Sequence, residues 1–186
     1  MADKKFWANA PQPKRAYRFV LRLRGIDQWV ITKVNRPSLT VSETQHQYLN
    51  HTFYYPGRVE YNTVSFTMVD PITPNATGYA LALLSQSGYR LPAVNNLETI
   101  SKAEAINALQ TPEIVTLDDQ GKDIEKFTLI NAWVKNVEMG DFDYGSEDLM
   151  NITVEMRYDF VKYEATQGSI EDPALAASVS QYRPGN

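Results

Sequence analysis

The sequence predicts a mainly β protein: an antiparallel β-sandwich or small barrel with a long projecting hairpin and one or two short helices. Two blocks of strict alternation and one Pro-Gly step carry that prediction. In the block 127–163, Ile152, Val154, Met156, Tyr158 and Phe160 share one parity, and Thr153, Glu155, Arg157 and Asp159 share the other. That is the period of a strand with one buried face. A second block, 48–70, is folded about Tyr55-Pro56-Gly57-Arg58. Pro at the second position and Gly at the third fit a type II turn, so 48–55 is expected to pair antiparallel with 58–69. Tyr48, Phe53, Tyr54 and Tyr55 then crowd the tip of a two-stranded arm bathed in water. With Pro56, Gly57 and Arg58 they form the candidate intersubunit interface, because a long aromatic edge is an aggregation hazard unless a neighbour covers it.

The remaining elements follow in order. Residues 1–15 are rich in Lys, Ala and Pro and read as an arm with no core of its own. Residues 16–163 are expected to form the sandwich, with the hairpin arm at 44–69, a helical connection at 88–112 and a polar tail at 164–186. A first strand, 17–23, should turn Tyr17, Phe19, Leu21 and Leu23 inward, leaving Arg18, Arg22 and Arg24 on a face opposite Glu155 and Asp159. After Asp70, Thr73 is placed to cap a helix with Pro74 at its first position, and Ala76, Tyr79, Ala80, Leu83 and Leu84 make one apolar stripe before Gly88. A second helix is predicted at 101–110, opened by the capping box Ser101-Lys102-Ala103-Glu104 and stopped at Thr111-Pro112. Asp118-Asp119-Gln120-Gly121 turns the next hairpin. A short helix over 172–182 would need to dock to be stable. Ala132, Trp133, Val134, Ile152, Val154, Met156 and Phe160 are the expected core, so that Phe160→Ala should leave the protein unfolded or insoluble.

Composition excludes several function classes. The chain has 186 residues, no cysteine, and a net charge of −4 with a pI near 5.2. One domain plus tails fits that length, and disulfides and thiolate metal sites are out. An acidic balance argues against a dedicated nucleic-acid binder. The N-terminus has charge but no apolar core of a signal peptide, and no run approaches the roughly 18 apolar residues of a membrane helix. Three sequon matches, at Asn50, Asn75 and Asn151, are expected to be chance ones.

No catalytic or metal constellation emerges. His46 and His51 lie five apart, which on a single strand puts them on opposite faces. Asp141-Phe142-Asp143-Tyr144-Gly145-Ser146-Glu147 begins like a calcium loop. Counted from Asp141, however, Gly145 stands at position five and Ile152 at twelve, where an EF-hand needs Gly at six and Glu at twelve. An acidic exposed turn is the expectation. No nucleophile–base pair is present, and no cofactor is expected. A ligand-binding sandwich with the hairpin as a lid, and a hydrolase using Asp141, Asp143 or Glu147, are the rival readings from other function classes.

Laid out in order, Leu129-Ile130-Asn131-Ala132-Trp133-Val134, Val137, Gly140-Asp141-Phe142-Asp143-Tyr144, Glu147-Asp148-Leu149-Met150 and Val154-Glu155-Met156-Arg157-Tyr158-Asp159-Phe160 resemble the C-terminal half of the tail tube proteins of contractile-tailed bacteriophages. The resemblance covers roughly 15–163. It implies a homo-oligomer of hexameric rings stacked into a hollow tube in the virion, assembled in the host cytoplasm, through which DNA passes without tight binding. Tail sheath, baseplate and tape-measure proteins are the implied partners, without membrane insertion. Related baseplate tube, tube initiator and terminator proteins, and inner tubes of type VI secretion and other contractile injection systems, share the implied fold. By parity, Glu60, Glu155 and Asp159 are candidates to face the lumen.

Overall fold

A computed structural model describes residues 12–89, 99–166 and Val179. Its elements are β1 (Phe19–Arg22), a 3-10 turn (Gln28–Val30), β2 (Ile31–Val34), β3 (Leu39–Tyr48), β4 (His51–Tyr61), β5 (Val64–Val69), α1 (Ala76–Gln86), α2 (Lys102–Leu109), β6 (Glu113–Leu117), β7 (Asp123–Ile130), β8 (Trp133–Glu138), β9 (Asn151–Arg157) and β10 (Phe160–Ala165). Two four-stranded sheets, ordered β1-β6-β7-β10 and β2-β5-β9-β8, face each other, and β3-β4 forms a sheet of its own. Every pairing is antiparallel.

Alternation builds the core. Val64, Phe66 and Met68 of β5 stand beside Ile152, Val154 and Met156 of β9, and all six are buried. Leu21, Ile114 and Leu129 close on them from the other sheet. Both helices lie against each other, and α2 packs on β8. Helix α1 buries Ala76, Ala80 and Leu83, the heart of its predicted stripe. Its cap is Asn75 rather than Thr73: the Asn75 side chain accepts from the Gly78 N–H, and Asp70 accepts from the N–H groups of Ala76 and Thr77. These two side chains take up amides that a helix start leaves without partners. Helix α2 starts as predicted, with Ser101 accepting from the Glu104 N–H. Asp118 holds the β6–β7 turn by accepting from the N–H groups of Gln120 and Lys122.

Three expectations need correction. The closing run is two strands, not one: Tyr158 is still buried, but at Asp159 the chain crosses from one sheet to the other and its N–H donates to the Ile130 carbonyl. Phe160 therefore opens β10 opposite Ile130 and is 42% exposed, outside the core. Tyr17 precedes β1 and is also exposed, while Phe19 and Leu23 pack at the margin of the core. Arg22 does not meet Glu155 or Asp159. It binds Asp123 bidentately and approaches Glu113 across the sheet, whereas Glu155 pairs with Lys135 and Asp159 with Lys102. The expected helix over 172–182 lies outside the described residues except for Val179, as do 1–11 of the N-terminal arm and most of the tail.

Core position decides mutational cost. Phe66→Ala should lower stability by about 3–5 kcal/mol through the cavity it leaves. Phe160→Ala should cost less than about 1.5 kcal/mol, as suits a side chain already half in water. Urea unfolding of both variants measures the difference, and equal losses would contradict this core.

Candidate assembly surfaces

The arm spans Leu39–Tyr48 and His51–Tyr61, not 44–69, and its turn is Leu49-Asn50. At the strand rise of about 3.3 Å per residue it reaches roughly 30 Å from the sandwich. Pro56-Gly57 does not turn the chain. It sits inside β4 at a bulge, where Val41 opposes Val59 but Glu43 opposes Pro56. A bulge tolerates the N–H that Pro lacks, and it brings the backbones close. A Cβ on Gly57 would clash with the Ser42 Oγ, and that same hydroxyl accepts from the Arg58 N–H at 2.8 Å. The turn went unread because Leu49, at φ 50°, carries no turn signal of its own.

Pairing sorts the aromatic residues. Tyr55 opposes Thr44, Phe53 opposes His46 and Tyr48 opposes His51, so Tyr48, Phe53 and Tyr55 lie on one face of the distal arm. Tyr54 lies on the other, opposite Gln45. The two histidines share the Tyr48–Phe53–Tyr55 face, contrary to the single-strand expectation, because the turn falls between them. No cluster of metal-ligating side chains exists among the described residues. Every residue from Leu39 to Glu60 is exposed. Nearer the body, Leu39, Val41 and Val59 are about half exposed.

Where the arm leaves the sandwich, a groove of about 590 Å³ is lined by Val59, Tyr61, Ile100 and Trp133. Glu60 and Asp159 both line it, while Glu155 stands elsewhere, on the outward face of β9 opposite Ser65. The three candidate lumen carboxylates are thus not brought together. Lys102 and the Asn131 amide donate to Asp159 and hold its carboxyl below the usual range. Among the described residues the buried Tyr158 hydroxyl has no hydrogen-bond partner, and burial, then the neighbouring Tyr61, pushes its pKa up to about 12.

A second cleft, of about 870 Å³, opens between edge strands β1 and β2. Glu125 lies at its base and is 2% exposed. Lys14, Arg36 and Thr116 donate to its carboxylate, and Arg36 also stacks over Phe127. Burial raises the carboxyl's pKa, but these donors and the Arg36 charge outweigh it and hold it below its ordinary value of 4.5. Nothing in the local sequence marks Glu125 as buried: it alternates with Ile124 and Lys126 as any exposed strand residue would. The connection 139–150, by contrast, is the acidic exposed turn expected, with Phe142 and Tyr144 wholly in solvent.

No protein-family model matches the chain, and no curated protein matches it. Its fold is that of tube-type proteins of contractile injection systems. The tube-terminating cap of the anti-feeding prophage superposes with a TM-score of 0.62 at 16% identity, covering 89% of this chain and 100% of that one. A chain of the six-fold symmetrised anti-feeding prophage baseplate gives 0.59 at 16% identity, covering 84% and 99%. A chain of the sheath/tube terminator of an extracellular contractile injection system gives 0.60 at 15% identity, covering 84% and 100%.

Glu125 offers a test of the cleft. Its depressed pKa means stability that is full above pH 4.5 and lost as pH falls through the folded value. Glu125→Gln should cost about 1–3 kcal/mol at pH 7. It should also flatten the fall in melting temperature between neutral pH and pH 3, measured by circular dichroism.

Proposed function

We propose that this chain is a non-catalytic subunit of a contractile-tail inner tube, assembling through its projecting arm into rings that stack around a channel. The carrying observation is the arm: a two-stranded sheet, exposed from Leu39 to Glu60, that presents Tyr48, Phe53 and Tyr55 on one face and pairs with neither sheet of the sandwich. Isolated two-stranded hairpins are marginal in water, and exposed aromatic patches of this kind mark interaction surfaces. A copy of the same chain is the occupant that repeats without limit. If the rotation between copies closes, a ring results. The fold shared with tube, terminator and baseplate proteins supports the reading. Within it, the tail tube of a phage, with hexameric rings and DNA as cargo, is the specific assignment, and sheath, baseplate and tape-measure proteins are its partners. A terminator of the same tube is the second reading, favoured by the two terminator structures whose full length this chain matches. It predicts single rings in place of long tubes.

The outward face of β5 and β9 is suited to a channel wall. Ser65, Thr67 and Thr153 line it, Glu155 there is paired with Lys135, and the cations Lys33 and Arg157 stand at its margins, so it offers no apolar stripe and its centre is uncharged or paired. A conduit needs such a surface, since each neutralised phosphate would release counterions and hold the polymer.

Size exclusion and negative-stain microscopy of the purified chain test the reading: rings or tubes are expected, and a stable monomer at high concentration would overturn it. Each aromatic buried in an interface contributes about 1.5–3 kcal/mol. Changing Tyr48, Phe53 and Tyr55 together to Ser should therefore abolish assembly while the protomer's melting stays near wild type. Assembled tubes should bind duplex DNA only weakly at moderate salt, as read by fluorescence anisotropy. Tight, salt-sensitive binding would contradict the conduit.

A further inference from the structure

We infer that the acidic, aromatic connection 139–150 of one copy docks in the basic cleft between β1 and β2 of the next, forming a head-to-tail contact distinct from the arm. The inference rests on the assembly reading above and names a surface pair for it.

The two surfaces are complementary in charge. The connection carries Asp141, Asp143, Glu147 and Asp148 and no lysine or arginine, and none of these carboxylates makes an ion pair among the described residues. The cleft is rimmed by Lys14, Arg15, Arg18, Lys33 and Arg36. Its one carboxylate, Glu125, engages Lys14 and Arg36. Arg15, Arg18 and Lys33 are left without a carboxylate among the described residues. Three free cations on the cleft therefore answer four free carboxylates on the connection.

They also match in apolar character. The connection exposes Phe142, Tyr144 and Leu149 at 93%, 112% and 69%. The cleft beneath its basic rim is floored by Phe19, Ile31, Val34 and Ile114, and its volume admits aromatic rings. Apolar side chains inside a charged rim, beside the already neutralised Glu125, are the anatomy of a specific protein interface.

Topology supplies the direction. β2 and β8 are the opposite edges of one sheet, and β1 and β10 those of the other. The cleft lies at the β1/β2 side, and the connection leaves β8 to enter β9. Each copy thus offers the basic surface on one flank and the acidic one at the opposite edge, as a heterologous contact that propagates in one sense requires. Complementary charge of this kind steers encounter, and salt weakens it.

Charge exchange tests the pair. One variant carries Asp141→Lys, Asp143→Lys and Glu147→Lys; the other carries Arg15→Glu, Arg18→Glu and Lys33→Glu, leaving Lys14 and Arg36 to hold Glu125. Each alone should raise the concentration needed for assembly at least about tenfold while far-ultraviolet circular dichroism and melting remain those of a folded protomer. Mixing the two should restore assembly, because the basic connection of one then meets the acidic cleft of the other and the two unreversed surfaces meet as before. If a cleft variant melts early, Phe142→Ser with Tyr144→Ser should give the same loss from the other side. Wild-type assembly with both reversed variants assembling normally would overturn the inference and leave the tube reading standing. A wild-type chain that stays monomeric would overturn both. Loss on each reversal without rescue on mixing would show that the two surfaces serve different partners, and would also overturn it.

Discussion

A two-stranded arm has no inside. Its strands satisfy each other's backbone, but among the described residues no second layer stands over either face, so the apolar side chains from Leu39 to Val59 remain in water until another molecule arrives. In this protein the constraint is severe, because the arm carries Tyr48, Phe53, Tyr54 and Tyr55 together with Leu39, Val41 and Val59, all about half exposed or more. The sandwich below needs none of them. Its core is closed by β5 and β9 against β1, β6 and β7, and the helices pack at the β8 side. The body thus supplies stability, and the arm is free to be selected for contact. The bulge at Pro56-Gly57 serves both ends: it denies a Pro N–H to any strand that might add to that edge, and it changes which face of the arm the odd-numbered residues of β4 occupy relative to β3.

Polar groups fix the framework around that division. Glu125 is a carboxylate buried inside the sandwich margin, tolerable only because Lys14, Arg36, Thr116 and the Tyr163 hydroxyl surround it. It ties the residues preceding β1 and the step after β2 to β7. Asp159 ties α2, through Lys102, to the corner where the chain changes sheets. Tyr79 ties α1 to the loop after β1 by donating to the Arg24 carbonyl. Each links elements distant in sequence, and each leaves the arm untouched.

Much of this was legible in the residues. Period-two alternation in 151–157 identified a buried strand and its face, since burial and parity are the same fact in a one-sided sheet, whereas 64–69, expected in the arm, is a buried strand of the body paired with β9. The capping residue of α2 and the Asp118 turn were readable because local side-chain chemistry determines them. The misreadings share one cause, which is that local signals do not say where a chain changes partners. Phe160 keeps the parity of Met156 although two residues, Tyr158 and Asp159, carry it into another sheet. Pro56-Gly57 has the composition of a turn but is a bulge, while Leu49-Asn50 is a turn without its composition. The electrostatic partners of Arg22, Glu125 and Asp159 depend on strand order, and strand order was not written in any single segment. The arm's aromatic residues were visible at once, but which of them share a face waited on the register.

Hydrogen exchange of the backbone amides in Leu39–Tyr48 and His51–Tyr61 tests the central claim most directly, compared between dilute protomer and assembled protein. If the arm is completed by a neighbouring copy, its amides exchange rapidly in the protomer, as suits a marginal hairpin, and slow by about a hundredfold or more on assembly, while those of β5 and β9 are protected throughout. An arm already protected in the protomer, or one that stays unprotected in the assembled state, would contradict the account.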